Sequence, residues 1–187
     1  MKRNRLVGLL AFIIFTIGIV TYAFPFAQIS IYQRFTYKPD PVIVESYAQK
    51  IEAFQQSTAQ ENNSTVAASL NAIMTMYEKS WDLDGDVLYL DGSTLKVMYS
   101  HLENAQNKLL NLTLQPHYSV ETRVYLLTSI ENLISLQKEV TAVMQTNWQT
   151  RSTLHTVAHN LYTAYYASFK QFHSFYEQAL QDDVAKK

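Results

Sequence analysis

The hydrophobic pattern of this chain begins with an uncharged run from Leu6 to Phe24, LVGLLAFIIFTIGIVTYAF. Lys2, Arg3 and Arg5 stand just before it, and the next charge after Arg5 is Arg34. A helix needs about 20 apolar residues to cross the roughly 30 Å of bilayer hydrocarbon. The run therefore predicts a transmembrane signal-anchor helix over 6–24. It is apolar on every face, which fits a lipid-facing helix better than a core helix of a soluble protein. The basic residues ahead of it favour a cytoplasmic N-terminus, and Arg34 and Lys38 weaken that bias without reversing it. Tyr22, Phe24, Phe26, Tyr32, Phe35 and Tyr37 follow the span, as expected of rings at headgroup level. A cleaved signal peptide shares the basic start and apolar middle, with Thr21-Tyr22-Ala23 as a passable cleavage site. The length of the run favours an uncleaved anchor. Both readings export the remainder. The expected location is thus single-pass membrane with the C-terminal domain extracytoplasmic, the alternative being secretion after cleavage.

Beyond the span the period changes. Pro39-Asp40-Pro41 is a stiff break that ends the membrane-exit segment and starts the folded domain. Val44, Tyr47, Ile51 and Phe54 recur at three- and four-residue spacing, one face of a helix. The polar stretch QQSTAQENNST at 55–65 is a loop or a solvated part of one long helix, with Ser64 as a candidate cap for a restart. Val66, Leu70, Ile73 and Tyr77 resume the face as far as Trp81. Leu95, Met98, Leu102, Ala105, Leu109 and Leu112 then form an unbroken heptad seam with Ser93 as its cap. A β-hairpin of VLYL and TLKVMY around Asp91-Gly92 is the rival. The length of the seam favours helix, which leaves local extension over Val87 to Leu90 open.

Gln115-Pro116-His117 closes that helix. Ser119 caps the next, with Glu121 in its first turn. Val120, Val124, Leu127, Ile130, Ile134, Val140 and Met144 give its predicted inner face. The pattern lapses over Asn147 to Ser152, but no glycine or proline enforces a break, so 119–182 is one long helix or two. Its last part carries His155, Ala158, Tyr162, Tyr165, Phe169, Phe172, Tyr176 and Ala179 in three-four alternation. Asp182-Asp183 and the terminal lysines read as a frayed tail.

These segments predict an all-α protein: an N-terminal transmembrane helix followed by an antiparallel four-helix bundle or a long helical hairpin. The divisions are 1–5 (cytoplasmic basic N-terminus), 6–24 (anchor), 25–41 (juxtamembrane aromatic segment), 42–182 (extracytoplasmic bundle) and 183–187 (tail).

Composition narrows the chemistry. The 187 residues carry 15 Lys+Arg against 16 Asp+Glu, a net charge of −1, so no strong pull toward nucleic acid follows. There is no cysteine, which excludes disulfides, thiol catalysis and Cys-ligated zinc. Four glycines and four prolines, none after Pro116, suit long helices. Sequons at Asn62, Asn63 and Asn111 matter only in a host that glycosylates exported chains.

Three candidate sites stand out. The acidic stretch DLDGDVLYLDG partly resembles an EF-hand-type calcium loop. With Ser80 at position 1, Asp82 falls at 3, Asp84 at 5, Gly85 at 6, Val87 at 8 and Asp91 at 12, and Asp86 is a further candidate ligand; calcium wants several converging hard oxygens and a turn at position 6. Ser80 replaces the usual acid, and Asp91 is shorter than the usual glutamate. The plainer explanation is a solvated turn whose aspartates cap the next helix. His155 and His159 lie one turn apart and are close enough to share a metal, but Thr156 stands where a catalytic HExxH needs glutamate, and no third ligand is visible. One seam histidine and one surface histidine is the plainer account. Tyr162, Tyr165, Phe169 and Phe172 could line a pocket for an apolar or ring-shaped ligand; core packing is the plainer account.

No nucleophile–base constellation, glycine-rich phosphate loop or Rossmann fingerprint occurs, so an enzyme is not the expectation. No cofactor is expected, calcium being the one candidate. An anchor followed by an exported helical bundle resembles the extracytoplasmic part of bacterial sensors in layout, not in motif. No second span or cytoplasmic output domain follows in this sequence, so signalling alone is not expected. The leading expectation is an anchored interaction protein of the cell envelope, with the lipid bilayer and another envelope protein or a second copy as partners. A ligand- or calcium-responsive binding domain is the alternative, and a metal-dependent enzyme comes third.

Overall fold

The computed structural model describes residues 2–30, 33–59, 70, 73–78, 87–114, 118–145 and 149–184. The first helix, α1 (Lys2–Ala23), comes before the folded domain and meets it at Tyr22, whose carbonyl accepts from Arg151 Nε. Its stretch Arg5–Ala23 has a mean hydropathy of 2.4 with no residue buried, and it is the one helix among the described residues long and apolar enough to cross a membrane. Leu6, Phe12, Ile14 and Phe15 all point away from protein. A helix that leaves such side chains uncovered needs an apolar solvent.

The chain leaves α1 through a run of tight turns. Phe24 N–H donates to Val20 O (2.8 Å), Ala27 N–H to Phe24 O (3.0 Å) and Ser30 N–H to Ala27 O (2.9 Å). Next comes β1 (Arg34–Tyr37), which pairs antiparallel with β2 (Leu88–Asp91), Arg34 opposite Asp91 and Tyr37 opposite Leu88. Both strands alternate, with Phe35, Tyr37, Leu88 and Leu90 buried. This two-stranded ribbon corrects the all-α expectation. Extended structure over Val87 to Leu90 is legible in the sequence, but its partner is the exit segment and not TLKVMY. Phe35 and Tyr37, expected at headgroup level, are core residues instead, because a period of two turns both rings to the same side.

Helix α2 (Pro41–Ala59) starts where the Pro-Asp-Pro break predicts. Asp40 caps it, its Oδ1 accepting from Val42 N–H at 2.9 Å, and Pro41 occupies the first turn, where no N–H is needed. Residues 73–78 are helical as well. Helix α3 (Gly92–Leu112) buries the whole predicted seam, Leu95 through Leu112. Its cap is Asp91 rather than Ser93. Helices α4 (Val120–Gln145) and α5 (Arg151–Val184) are separate, with Ser119 and Thr150 hydroxyls capping their first turns.

These helices share one core, with α3, α4 and α5 packed side by side in chain order. On the other side of α5 lies α2, running parallel to it. Tyr47 meets Tyr162, Tyr166 and Phe169, and Phe54, further along, meets Phe172 and Tyr176. Helix α5 is therefore central and buries two rows, with Leu154, Leu161 and Phe175 joining the predicted seam. With 73–78 and the ribbon in the same core, the described residues form a mostly helical domain with one small two-stranded sheet, of which a four-helix bundle is not established. Asp182 belongs to this packing and not to a frayed tail: its Oδ2 accepts from Ser119 N–H at 2.7 Å, tying the end of α5 to the start of α4.

The predicted face of α4 is corrected in part: Ile130 and Val140 are buried as expected, while Val120, Val124, Leu127 and Met144 are exposed. Its buried residues are Thr122, Leu126, Ser129, Ile130, Leu133, Leu136, Val140 and Val143. Val120, Val124 and Leu127 face outward instead, at 82%, 57% and 55% exposure.

Candidate functional site

Four places carry the candidate chemistry. The first is the histidine pair, at the end of the domain nearest α1. His159 Nδ1 lies 3.1 Å from Tyr37 Oη, and the His155 ring meets the Tyr37 ring edge-on at 5.3 Å. Burial, then the Asp40 charge, pushes the Tyr37 hydroxyl above its ordinary pKa. Both histidines are exposed, although His155 was expected on the buried seam; Leu154 takes the inward position. The pair thus clasps a tyrosine of β1. Among the described residues no group of three or more His, Asp or Glu is placed to hold a metal.

The second is the aromatic row. Tyr162, Tyr165, Phe169 and Phe172 are each at most 1% exposed and belong to the core. Tyr162 packs on Tyr37 and Tyr47, and burial lifts its pKa to about 12. Tyr47 donates to Tyr77 O (3.1 Å), while Tyr77 Oη lies 2.8 Å from Ser168 Oγ. Both hydroxyls are also raised, chiefly by burial.

Of the four, Phe169 lines a cleft. That cleft, about 280 Å³ between α2 and α5, is lined by Lys50, Ala53, Phe169, Lys170, His173 and Ser174. Lys170 Nζ sits over the Tyr166 ring at 5.1 Å, and His173 Nδ1 is 3.8 Å from Glu177. An apolar base rimmed by two ammonium groups suits a small organic anion. Lys50 and Lys170 escape the sequence reading because each lies one position outside an apolar row, where lysines ordinarily are solvated.

The third is the acidic loop. Asp82, Asp84 and Asp86 lie outside the described residues. Asp91 is engaged: its Oδ1 accepts from Ser93 N–H (2.9 Å), Ser93 Oγ–H (2.6 Å) and Thr94 N–H (2.8 Å), and its Oδ2 is 4.0 Å from Arg34 Nε. The Ser93 and Thr94 hydrogen bonds hold its carboxyl below the usual range. A calcium ion taking Asp91 through both oxygens would break this cap.

The fourth is the outward row of α4, Val120, Val124 and Leu127, with Leu114 at 80% exposure just past the end of α3. The two helices are antiparallel, so Leu114 lies at the same end of the domain as Val120. Glu131 continues the four-three-four spacing and is exposed. No signal separates this row from the buried one in sequence, since both have helical period.

Taken together, these features define a helical domain carried on a single apolar helix. No family model matches the chain, and neither a curated protein nor a solved structure is similar to it.

Proposed function

We propose that this chain is a bilayer-anchored interaction protein of the cell envelope. In this reading α1 spans the membrane, the N-terminus is cytoplasmic, and the helical domain lies outside the cytoplasm, where it docks another protein on the outward face of α4. The observation that carries it is the uncovered row of Val120, Val124 and Leu127 on a helix whose opposite face is fully packed. Large exposed apolar side chains in a contiguous row mark docking surfaces, and helical spacing suits an amphipathic partner helix. A different protein fits better than a second copy. Two copies anchored in one membrane must stand parallel, and in-register α4 helices would set Glu131 against its twin at the end of the row, a like-charge contact that opposes pairing.

A photo-reactive residue at position 124 or 127 of the full chain in its native membrane tests this. A discrete adduct with another protein supports the reading; an adduct of twice the chain's mass would make the partner a second copy, and no adduct at either position would sink it. Orientation is tested separately. The chain has no cysteine, so Asn4→Cys and Lys108→Cys report alone. A membrane-impermeant thiol reagent applied from outside should label the second and spare the first.

A second reading, a ligand-binding domain, is favoured by the Lys50–Lys170 cleft, whose volume of about 280 Å³ lies just under the usual 300–1,000 Å³ of ligand pockets. Loss of small-anion binding in Lys50→Gln and Lys170→Gln would support it, and unchanged binding would remove it.

A further inference from the structure

Where the exit segment meets the domain there is a second cleft, of about 140 Å³. Phe26 and Gln33 line it from the exit segment, Leu95 and Lys96 from the start of α3, and Val143 and Met144 from the end of α4. Buried Leu95 and Val143 give it an apolar floor, half-buried Phe26 and the partly open Met144 give it apolar sides, and exposed Lys96 and Gln33 give it a polar rim. Among the described residues no carboxylate pairs with Lys96, and Asp91, five positions before it, is engaged by the cap of α3 and by Arg34.

The place of this cleft is set by α1. Phe26 is four residues beyond Tyr22, at most about 14 Å of fully extended chain, and the turns of the exit segment fold that length up. Arg151 adds a second tie, its Nε donating to Tyr22 O at 2.6 Å. The polar layer of a bilayer is about 5–8 Å deep on each side. With α1 in the membrane, Phe26 therefore lies within about 14 Å of the last turn of the span, in reach of the lipid headgroups.

We propose that this cleft holds the glycerophosphate end of one anionic phospholipid from the leaflet into which α1 emerges. Lys96 pairs with the phosphate, Gln33 hydrogen-bonds the ester region, and the first methylenes lie along Phe26 and Met144. The volume is below that of a whole-ligand pocket, so the rest of the lipid stays in the leaflet. Continuity with the anchor selects the bilayer as occupant, and an unneutralised lysine selects an acidic headgroup. The inference rests on α1 lying in a bilayer and adds a contact that the protein-docking reading does not need.

The test is native mass spectrometry of the full chain in detergent, with phosphatidylglycerol or phosphatidylcholine added. Wild type should keep one phosphatidylglycerol in preference. Lys96→Gln should lower that retention about fivefold and leave phosphatidylcholine unchanged, while Lys108→Gln, at the far end of the same helix, should change nothing. Met144→Trp, which fills the cleft from its open side, should exclude both lipids with circular dichroism unaltered. Equal retention by wild type and Lys96→Gln would overturn the proposal, as would displacement of the lipid by an equal concentration of inorganic phosphate. Retention is read in detergent, so its outcome is independent of the topology experiment.

Discussion

The guanidinium of Arg151 does two things at once to Tyr22: its Nε donates to the backbone carbonyl at 2.6 Å, and its plane lies over the ring, 5.2 Å from the centre. Tyr22 is in the last turn of α1, where carbonyls lack helical partners, and Arg151 is the first residue of α5. One side chain thus caps the anchor and ties it to the central helix of the domain. Arg151→Ala should leave the domain's stability within about 1 kcal/mol, because the residue is exposed, yet loosen the joint. Amide exchange over 24–30 in the membrane-reconstituted protein should rise. Arg151→Lys should rescue only part of the protection, since an ammonium lacks the planar fork. Unchanged exchange in Arg151→Ala would mean the turns alone hold the joint.

Reversing the register of α4 is directly testable. Leu127→Glu and Val124→Asp should fold with stability within about 0.5 kcal/mol of wild type, as surface changes do. Leu126→Ala and Leu133→Ala should each cost about 2–5 kcal/mol as cavities in the core. Denaturant unfolding of the four variants checks this; the opposite ranking would restore the face expected from sequence.

Asp91→Ala should destabilise the fold by about 1 kcal/mol through loss of the α3 cap. The folded carboxyl lies below its ordinary pKa, so its contribution is present above the unfolded value and is lost as pH falls through the folded one. Wild type and Asp91→Ala should therefore converge in stability below about pH 4. Added calcium should leave the difference between them unchanged at neutral pH, and a calcium-dependent difference would revive Asp91 as a ligand.

Alkaline pH should act through the tyrosines. Tyr47, Tyr77 and Tyr162 all have raised folded pKa values, chiefly from burial, that of Tyr162 reaching about 12. Their contribution is complete below the unfolded tyrosine value near 10 and is lost as pH rises through the folded values. The part of the phenolate absorbance that Tyr47→Phe, Tyr77→Phe and Tyr162→Phe remove should appear together with loss of helical signal, above about pH 10. Ionisation of these three tyrosines with the helical signal intact would show the cluster open to solvent.

Tyr37→Phe should cost about 0.5–1.5 kcal/mol, the net worth of one hydrogen bond, by removing the contact to His159. Tyr37→Ala should cost about 3–5 kcal/mol, because the ring is core. A similar small cost for both in thermal unfolding would show that the ring carries no packing.

What the sequence alone determined was whatever one element decides by itself. Leu6 to Phe24 is apolar on all sides, so a helix long and apolar enough to cross a membrane does not depend on the remaining chain. The α3 seam has a single apolar face and therefore a single way to be buried. The Asp40-Pro41 start of α2 and the Ser119 cap of α4 rest on backbone donors a few residues away. Tertiary structure decided everything that offered two local solutions. Helix α4 has two apolar rows, and the inner one includes Thr122 and Ser129, whose hydroxyls are satisfied locally by Ser119 Oγ and by Tyr125 O. Small side chains with no outstanding hydrogen bonds can be buried against neighbouring helices at little cost, and that freed Val120, Val124 and Leu127 for the surface. Pairing of β1 with β2 spans more than 50 residues of sequence, and both clefts join side chains from separate elements. A periodic pattern reports which faces a helix has, but only the neighbours determine which face is covered.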